Sequence, residues 1–442
     1  MLTLLMSIMW MMGMFMCYSS MEVILSMFLL EVFLFCQMDW SFSITNIGSF
    51  VGVDLMGFLL IQLSLFIVIL MYMASMSLSI FNEGMFSFYS LLMAFLLVFC
   101  FSVYNLIGFY LFFESVLFPI VMLIVGWGNQ PERLQAGLYM LFYTLGGSLP
   151  LLLFLLSNGN EFSISIFYAG WQSCKMGTLM FCMGILAFLV KMPMFMVHVW
   201  LPKAHVEAPV AGSMILAGVL LKLGIYGLLR VKIFFIDEMK NYGFVFMSII
   251  LMGGIFVSLI CLCQVDVKAL IAYSSVCHMG LSLGGVISMS SWGLTGNMLM
   301  MLGHGLCSSG LFCLANIYYE RLYSRSLILL KGMGIFFPFL SVMWFLFSIT
   351  NMAAPPSMNL GGEILLMGSM IKWSFLCLIP LGLMCFLSAA YSLYLYSYLN
   401  HGKGWVMYSV NMISFREMLL MVYHFIPLIL WVFKMEFFMS WF

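Results

Sequence analysis

Charge is what this sequence has least of. Of its 442 residues 7% are Asp, Glu, Lys or Arg, against roughly 25% in a soluble domain, so water is not the solvent of most of its surface. The charges that exist sum to zero, which argues against a basic arm for nucleic acid. No Asn-x-Ser/Thr acceptor occurs anywhere, so nothing marks an extracellular face. Zinc-ligand spacing is missing too. The 12 cysteines are scattered through apolar runs, with Cys261 and Cys263 the closest pair, and they read as small apolar fillers. Gly-rich phosphate loops, a GxGxxG after a strand, a nucleophile elbow and Fe–S or haem patterns are all absent. The expectation is a chain with no redox cofactor and no metal of its own. The opening MLTLLMSIMWMMGMFMCY lacks a basic n-region, a small-residue cleavage site and an Arg-rich amphipathic character. It predicts a first spanning helix that is kept rather than a leader.

What is present is long apolar runs. Residues of the hydrophobic classes make up 65% of the chain and the mean hydropathy is +1.15. At roughly 20 apolar residues per crossing, the runs between polar or Gly/Pro punctuation give about fourteen helices. They lie near 2–19, 22–37, 52–78, 85–104, 106–126, 134–156, 176–200, 210–231, 243–263, 268–288, 293–318, 333–371, 376–398 and 417–436. The runs are continuous and do not alternate over about ten residues as barrel strands do. The fold class is therefore an all-α polytopic membrane protein, one membrane domain over 1–442 with no separable linker. The 46 methionines exceed any packing need. A mitochondrial genetic code, which reads one isoleucine codon as Met, produces that excess.

Ionisable residues inside such runs need a reason, since a charge at the bilayer centre costs at least about 2.5–3.5 kcal/mol. Four stand deep in apolar sequence: Glu114 in FYLFFESVLFP, Lys191 in AFLVKMPMF, Lys222 in AGVLLKLGIYG and Glu363 in NLGGEILLM. His278 and His304 accompany them, in SSVCHMGLS and MLGHGLCSS. Glu31 also lies in a predicted span, near the N-terminus, where an interfacial or helix-contact role is the competing reading. Structural glue is a weak account of the set, because interhelical polar contacts in membranes average about 0.6 kcal/mol. An ion pathway suits it better. A desolvated lysine loses proton affinity and a nearby carboxylate restores it. Moving a proton against 100 mV takes roughly 2.3 kcal/mol, about 1.7 pKa units, which lies within that swing.

Proline supplies an independent signal. Pro193 follows Lys191 by two residues, and Pro355 and Pro356 precede Glu363. Proline removes a helical hydrogen bond and clashes with the preceding turn. Freed backbone at membrane depth is tolerated only against protein or a water-filled cavity. A broken helix in each half, each beside an ionisable group, points to a transporter built from inverted repeats. The stretch HVWLPKAHVE, with His198, His205 and Glu207, lacks HExxH spacing. It reads as a turn or cavity lining that stabilises the first break rather than a metal site.

Several stretches carry a resemblance: WGNQPERLQAGLYMLFYTLGGSLPLL (127–152), residues 191–230, DVKALIAYSSVCHMG (266–280), GHGL (303–306) and PPSMNLGGEI (355–364). Together they resemble the antiporter-like, proton-translocating chains of mitochondrial NADH–ubiquinone oxidoreductase, respiratory complex I. The resemblance covers residues 90–400 strongly and the ends by length and hydropathy. Glu363 stands where related antiporter-like chains have lysine, which with the length favours the chain-4 group over chains 2 and 5. The family resemblance implies fourteen helices. Helices 1–3 would fill 1–84, a first five-helix repeat 85–231, a second, inverted repeat 243–398, and a last helix 417–436, with helices 7 and 12 broken.

It also implies roles. Glu114 matches the helix-five glutamate and Lys191 the broken-helix lysine paired with it. Lys222 matches the central lysine of helix eight, His278 and His304 the hydrated axis, and Glu363 the terminal glutamate. A proton would pass from Lys191 through Lys222, His278 and His304 to Glu363. Gly146 and Gly361 replace bulkier aliphatic residues common in the family. Implied partners are the other membrane-arm subunits, chains 2 and 5 among them, with flavin and Fe–S clusters in other subunits and the inner mitochondrial membrane as location. A stand-alone multisubunit-type cation/proton antiporter is the rival reading, and sodium-dependent transport would favour it. A purely structural scaffold has no use for the buried charges.

Overall fold

The computed structural model describes residues 2–14, 19–37, 51–76, 83–157, 177–402 and 411–434. Apart from two isolated bridges, Val51 with Val103 and Asp266 with Ser326, the described residues form helices and their connectors. The first helices are α1 (Leu2–Gly13), α2 (Ser20–Gln37), α3 (Leu55–Ser75), α4 (Glu83–Ser102), α5 (Leu106–Ser115), α6 (Leu117–Trp127) and α7 (Arg133–Ser157). Next come α8 (Thr178–Lys191), α9 (Trp200–Glu207), α10 (Val210–Ile215), α11 (Leu221–Val231), α12 (Ile236–Leu262), α13 (Val267–Ile287) and α14 (Ser291–Leu322). The chain continues with α15 (Met333–Phe336), α16 (Pro338–Asn351), α17 (Met358–Trp373), α18 (Leu378–Asn400) and α19 (Phe415–Leu430).

Among the described residues nine helical stretches are long and apolar enough to cross a bilayer. These segments become helices because lipid offers no partner to backbone N–H and C=O groups, so each crossing must satisfy its own. Polar residues set the ends. Asp54 caps α3 through the Gly57 amide (2.9 Å), Ser290 caps α14 through the Gly293 amide, and Ser414 and Glu417 form a capping box on α19. The apolar stretches differ in how much lipid they see. The apolar window of α14 is buried along its whole length, and this helix packs on α3, α10, α13, α16, α17 and α19. It is the axle of the bundle.

Both expected breaks are present. The run 176–200 does not form one helix: α8 stops at Lys191 and α9 starts at Trp200, with Pro193 in the unwound stretch between. The run 333–371 divides likewise into α16 and α17 around Pro355 and Pro356. Each break holds a non-glycine residue in the left-handed region, Met196 (φ 84°) and Ala353 (φ 57°), a conformation that costs about 1–3 kcal/mol and persists only where its surroundings enforce it. Tryptophans meet the freed carbonyls. Trp200 Nε1 donates to Val190 (3.1 Å), and Trp431, just past α19, donates to Pro356 (3.1 Å). The Asn359 amide spans the second break to the Thr350 carbonyl (2.9 Å). Gly361 is explained by the same contact, since a Cβ there would lie 2.6 Å from the Trp431 ring; one at Gly146 would meet nothing.

Two further irregularities were not anticipated. The expected helix 106–126 is interrupted between α5 and α6 at Val116. Pro119 supplies the cause: it has no amide for the Ser115 carbonyl, and its ring pushes that carbonyl away. The expected helix 210–231 carries a π-helical turn over Leu216–Leu220, one turn ahead of Lys222. Replacing Trp200 with Phe leaves the Val190 carbonyl unpaired in a buried site. The expected loss is about 1–3 kcal/mol, read as a lower thermal midpoint for the assembled protein, with a smaller loss for an exposed Trp10→Phe control.

Candidate functional site

The six ionisable residues singled out by sequence fall into two groups. The first joins α5 and α8. Lys191, the last residue of α8, is buried, and its Nζ donates to the Phe113 carbonyl (2.6 Å). The same Nζ lies 3.1 Å from the centre of the Phe113 ring, a cation–π contact of the kind that burial strengthens. Phe113 is in the final turn of α5, where carbonyls lose their helical partners. The Pro119 kink therefore helps present an acceptor to the lysine. Glu114 is the next residue and is half-buried. It lies within electrostatic reach of Lys191 and beside Ser148, but neither oxygen has a hydrogen bond of normal geometry. The two charges are neighbours without a direct ion pair; the lysine rests on the backbone one residue away.

The second group is a contiguous string. Lys222 is fully buried on α11. Its Nζ donates to the Ala217 carbonyl inside the π-turn and meets His304 Nδ1 of α14 at 3.1 Å. A π-turn withdraws carbonyls from the regular ladder, which leaves Ala217 available. At that distance an ammonium can donate to a bare Nδ1, or an N–H on the ring can donate to a neutral amine. Close backbone approach makes the contact possible. A Cβ at Gly305 would lie 3.0 Å from the Gly218 carbonyl, so glycine at 305 lets α14 come close to the π-turn. The ring of His304 lies 5.6 Å, centre to centre, from that of His278 on α13. His278 Nδ1 in turn approaches Glu363 Oε1 of α17 to 3.1 Å, at an angle short of a hydrogen bond. Its Nε2 meets the Tyr391 hydroxyl of α18 at 3.2 Å.

The order along this string corrects the expected one. His304, not His278, adjoins Lys222, and His278 adjoins Glu363. Linear position misleads because α13 and α14 run antiparallel past one another. No hydrogen bond or ion pair between described residues joins Lys191 to Lys222. Glu31 sits half-buried on α2, and no described hydrogen bond ties it to either group.

The residues of HVWLPKAHVE go to separate neighbours. His198 stacks on Phe195 (5.6 Å), His205 stacks on Phe312 (4.6 Å), and Glu207 faces Arg325 (3.6 Å). Sequence reading passed over Lys268, which opens α13 and is buried with its Nζ on the Ala208 carbonyl (3.2 Å). Its place at the edge of an apolar run was the available signal.

All six residues lie within 103–388, the segment matched by the family described as NADH:quinone oxidoreductase/Mrp antiporter, TM. The chain belongs to that family. Among its relatives, NADH-ubiquinone oxidoreductase chain 4 of Rhipicephalus sanguineus is 54% identical over 90% of this chain and 92% of its own length. The protein of the same name from Ceratitis capitata is 53% identical over 90% of each. In fold, the chain superposes on a chain of respiratory complex I from Thermus thermophilus with bound NADH. The TM-score is 0.88 at 22% identity, covering 99% of this chain and 97% of that one. A chain of the archaeal membrane-bound sulfane sulfur reductase matches at 0.85 and 14%, over 99% and 95%. The family member described here is thus a multi-pass helical membrane protein with a buried titratable axis. Pro119→Ala restores an amide to the Ser115 carbonyl and straightens the α5–α6 junction, drawing the Phe113 carbonyl from Lys191. Misplacement on this scale is expected to slow turnover of the assembled protein by about tenfold or more, measured as quinone-reductase rate at unchanged assembly.

Proposed function

We propose that this chain translocates protons in the membrane arm of a mitochondrial NADH:ubiquinone oxidoreductase. The redox steps lie in other subunits, where flavin and Fe–S clusters are expected, and the chain itself carries no cofactor. The observation that supports this reading most is the run of contacts from Lys222 through His304 and His278 to Glu363. Each member can take and release a proton, and each side chain is buried inside the bundle. The names of its relatives supply the assembly. The partners proposed are other membrane-arm subunits, including antiporter-like chains 2 and 5, in the inner mitochondrial membrane. The segments 85–231 and 243–398 serve as inverted repeats, each contributing one broken helix.

In this account Lys191 has two resting places. Against the Phe113 carbonyl and ring its ammonium is held by a dipole and a π face; swung to Glu114 it is held by a full charge. Coupling from the redox subunits shifts it between the two and so changes its proton affinity. A proton released toward Lys222 then passes to His304 Nδ1, and the far side of that ring delivers to His278. His278 delivers from Nδ1 to Glu363. The gap between Lys191 and Lys222 is where transfer is controlled, because no described side-chain contact closes it.

Glu114→Gln keeps size and removes the charge that competes for Lys191. NADH-driven proton translocation in sealed vesicles is expected to fall at least about a hundredfold, together with quinone reduction, at native assembly. Unchanged pumping would reduce Glu114 to a helix contact. Lys191→Met is expected to abolish coupled pumping. Sodium-dependent transport by the purified chain would instead support a stand-alone cation/proton antiporter.

A further inference from the structure

Within that proton-translocating reading, on which this step rests, we infer that Tyr391 is a positioning residue that sets which nitrogen of His278 carries the proton. Tyr391 projects from α18, a helix that supplies none of the six residues above, and it is completely buried. Its hydroxyl meets His278 Nε2 at 3.2 Å, while Nδ1 on the other edge of the ring faces Glu363 at 3.1 Å. Both nitrogens of the imidazole are therefore occupied, one by a phenol and one by a carboxyl.

A neutral imidazole holds one proton, and its second nitrogen can only accept. When the phenol donates to Nε2, the ring proton must sit on Nδ1, aimed at Glu363. When the phenol accepts instead, Nε2 holds the proton and Nδ1 has nothing to give. The phenol is the better donor of the two arrangements, because a carboxylate at Nδ1 favours a proton on that edge. Tyr391 thus selects the resting tautomer whose proton faces Glu363. As a proton from His304 is taken up at Nε2, the phenol turns from donor to acceptor and the Nδ1 proton passes to Glu363, so the ring ends neutral. The phenol also anchors the ring so that a small rotation completes the Nδ1 to Oε1 geometry. A water could not replace it without a cavity, since Tyr391 is fully enclosed and His278 nearly so. The residue escaped the sequence reading because YSLYLYSYLN looks like an ordinary aromatic face.

The test compares Tyr391→Phe, Glu363→Gln and native assembled enzyme, measuring NADH-driven proton translocation in sealed vesicles in H2O and in D2O. The Phe variant keeps the ring and its packing. It is expected to slow pumping by roughly three- to tenfold, the worth of one hydrogen bond, and to raise the solvent isotope effect above native as His278-to-Glu363 transfer becomes limiting. Native rate and isotope effect in Tyr391→Phe, with pumping lost in Glu363→Gln, would overturn the role of Tyr391 and leave the pathway standing. A slower Phe variant with an unchanged isotope effect, or one that fails to assemble, would make the hydroxyl structural and also overturn it. Native pumping in Glu363→Gln would remove the pathway itself.

Discussion

A lysine buried inside a helical bundle must find its acceptors among the helices that enclose it, and much of this structure follows from how Lys222 does so. One acceptor is the Ala217 carbonyl, available because the helix loosens into a π-turn before the lysine. The other is His304, which can also receive the proton. Burial at this depth costs more than a typical interhelical contact returns. The geometry is maintained by packing: Gly305 against the Gly218 carbonyl, and α14 held on all sides. The lysine's neighbour is a titratable ring rather than a fixed counter-charge, which fits the transfer role proposed for it.

The same constraint shapes the breaks. Unwinding α8 from α9 and α16 from α17 exposes carbonyls that lipid cannot satisfy, and each break recruits an indole N–H, Trp200 in one and Trp431 in the other. These donors are neutral and do not titrate, so they hold the breaks open without competing for the proton. Lys191 then ends α8 with its charge directed to the last turn of α5, and Glu363 lies in the second turn of α17. Lys191 thus precedes one break and Glu363 follows the other, and in the proposed pathway release begins at the cation and uptake ends at the carboxylate.

Much of this was legible in the sequence, and for a physical reason. A charge in an apolar run is conspicuous, so Glu114, Lys191, Lys222 and Glu363 stood out, and a proline beside one of them reveals an interruption. The helices themselves follow from run length. What stayed hidden depends on three-dimensional neighbours. The π-turn lies in LAGVL, which has no proline to betray it. The order of His304 before His278 comes from antiparallel packing of α13 on α14. Tyr391 is one tyrosine among several on its helix. Pro119 was legible in principle, since a proline four residues after Ser115 must disturb the helix carrying Glu114. The expected Glu114–Lys191 pair is present as proximity, with the lysine resting on the Phe113 carbonyl, a distinction only coordinates draw.

The central claim is that the contact between Lys222 and His304 carries the proton. It is tested most directly by Lys222→Met in the assembled enzyme, following NADH-driven acidification by sealed vesicles alongside NADH oxidation. The account predicts intact assembly with proton translocation lost, because methionine fills the space and can neither hold nor pass a proton. A native ratio of protons moved to NADH oxidised in that variant would contradict it, and would relegate the buried string to structural support.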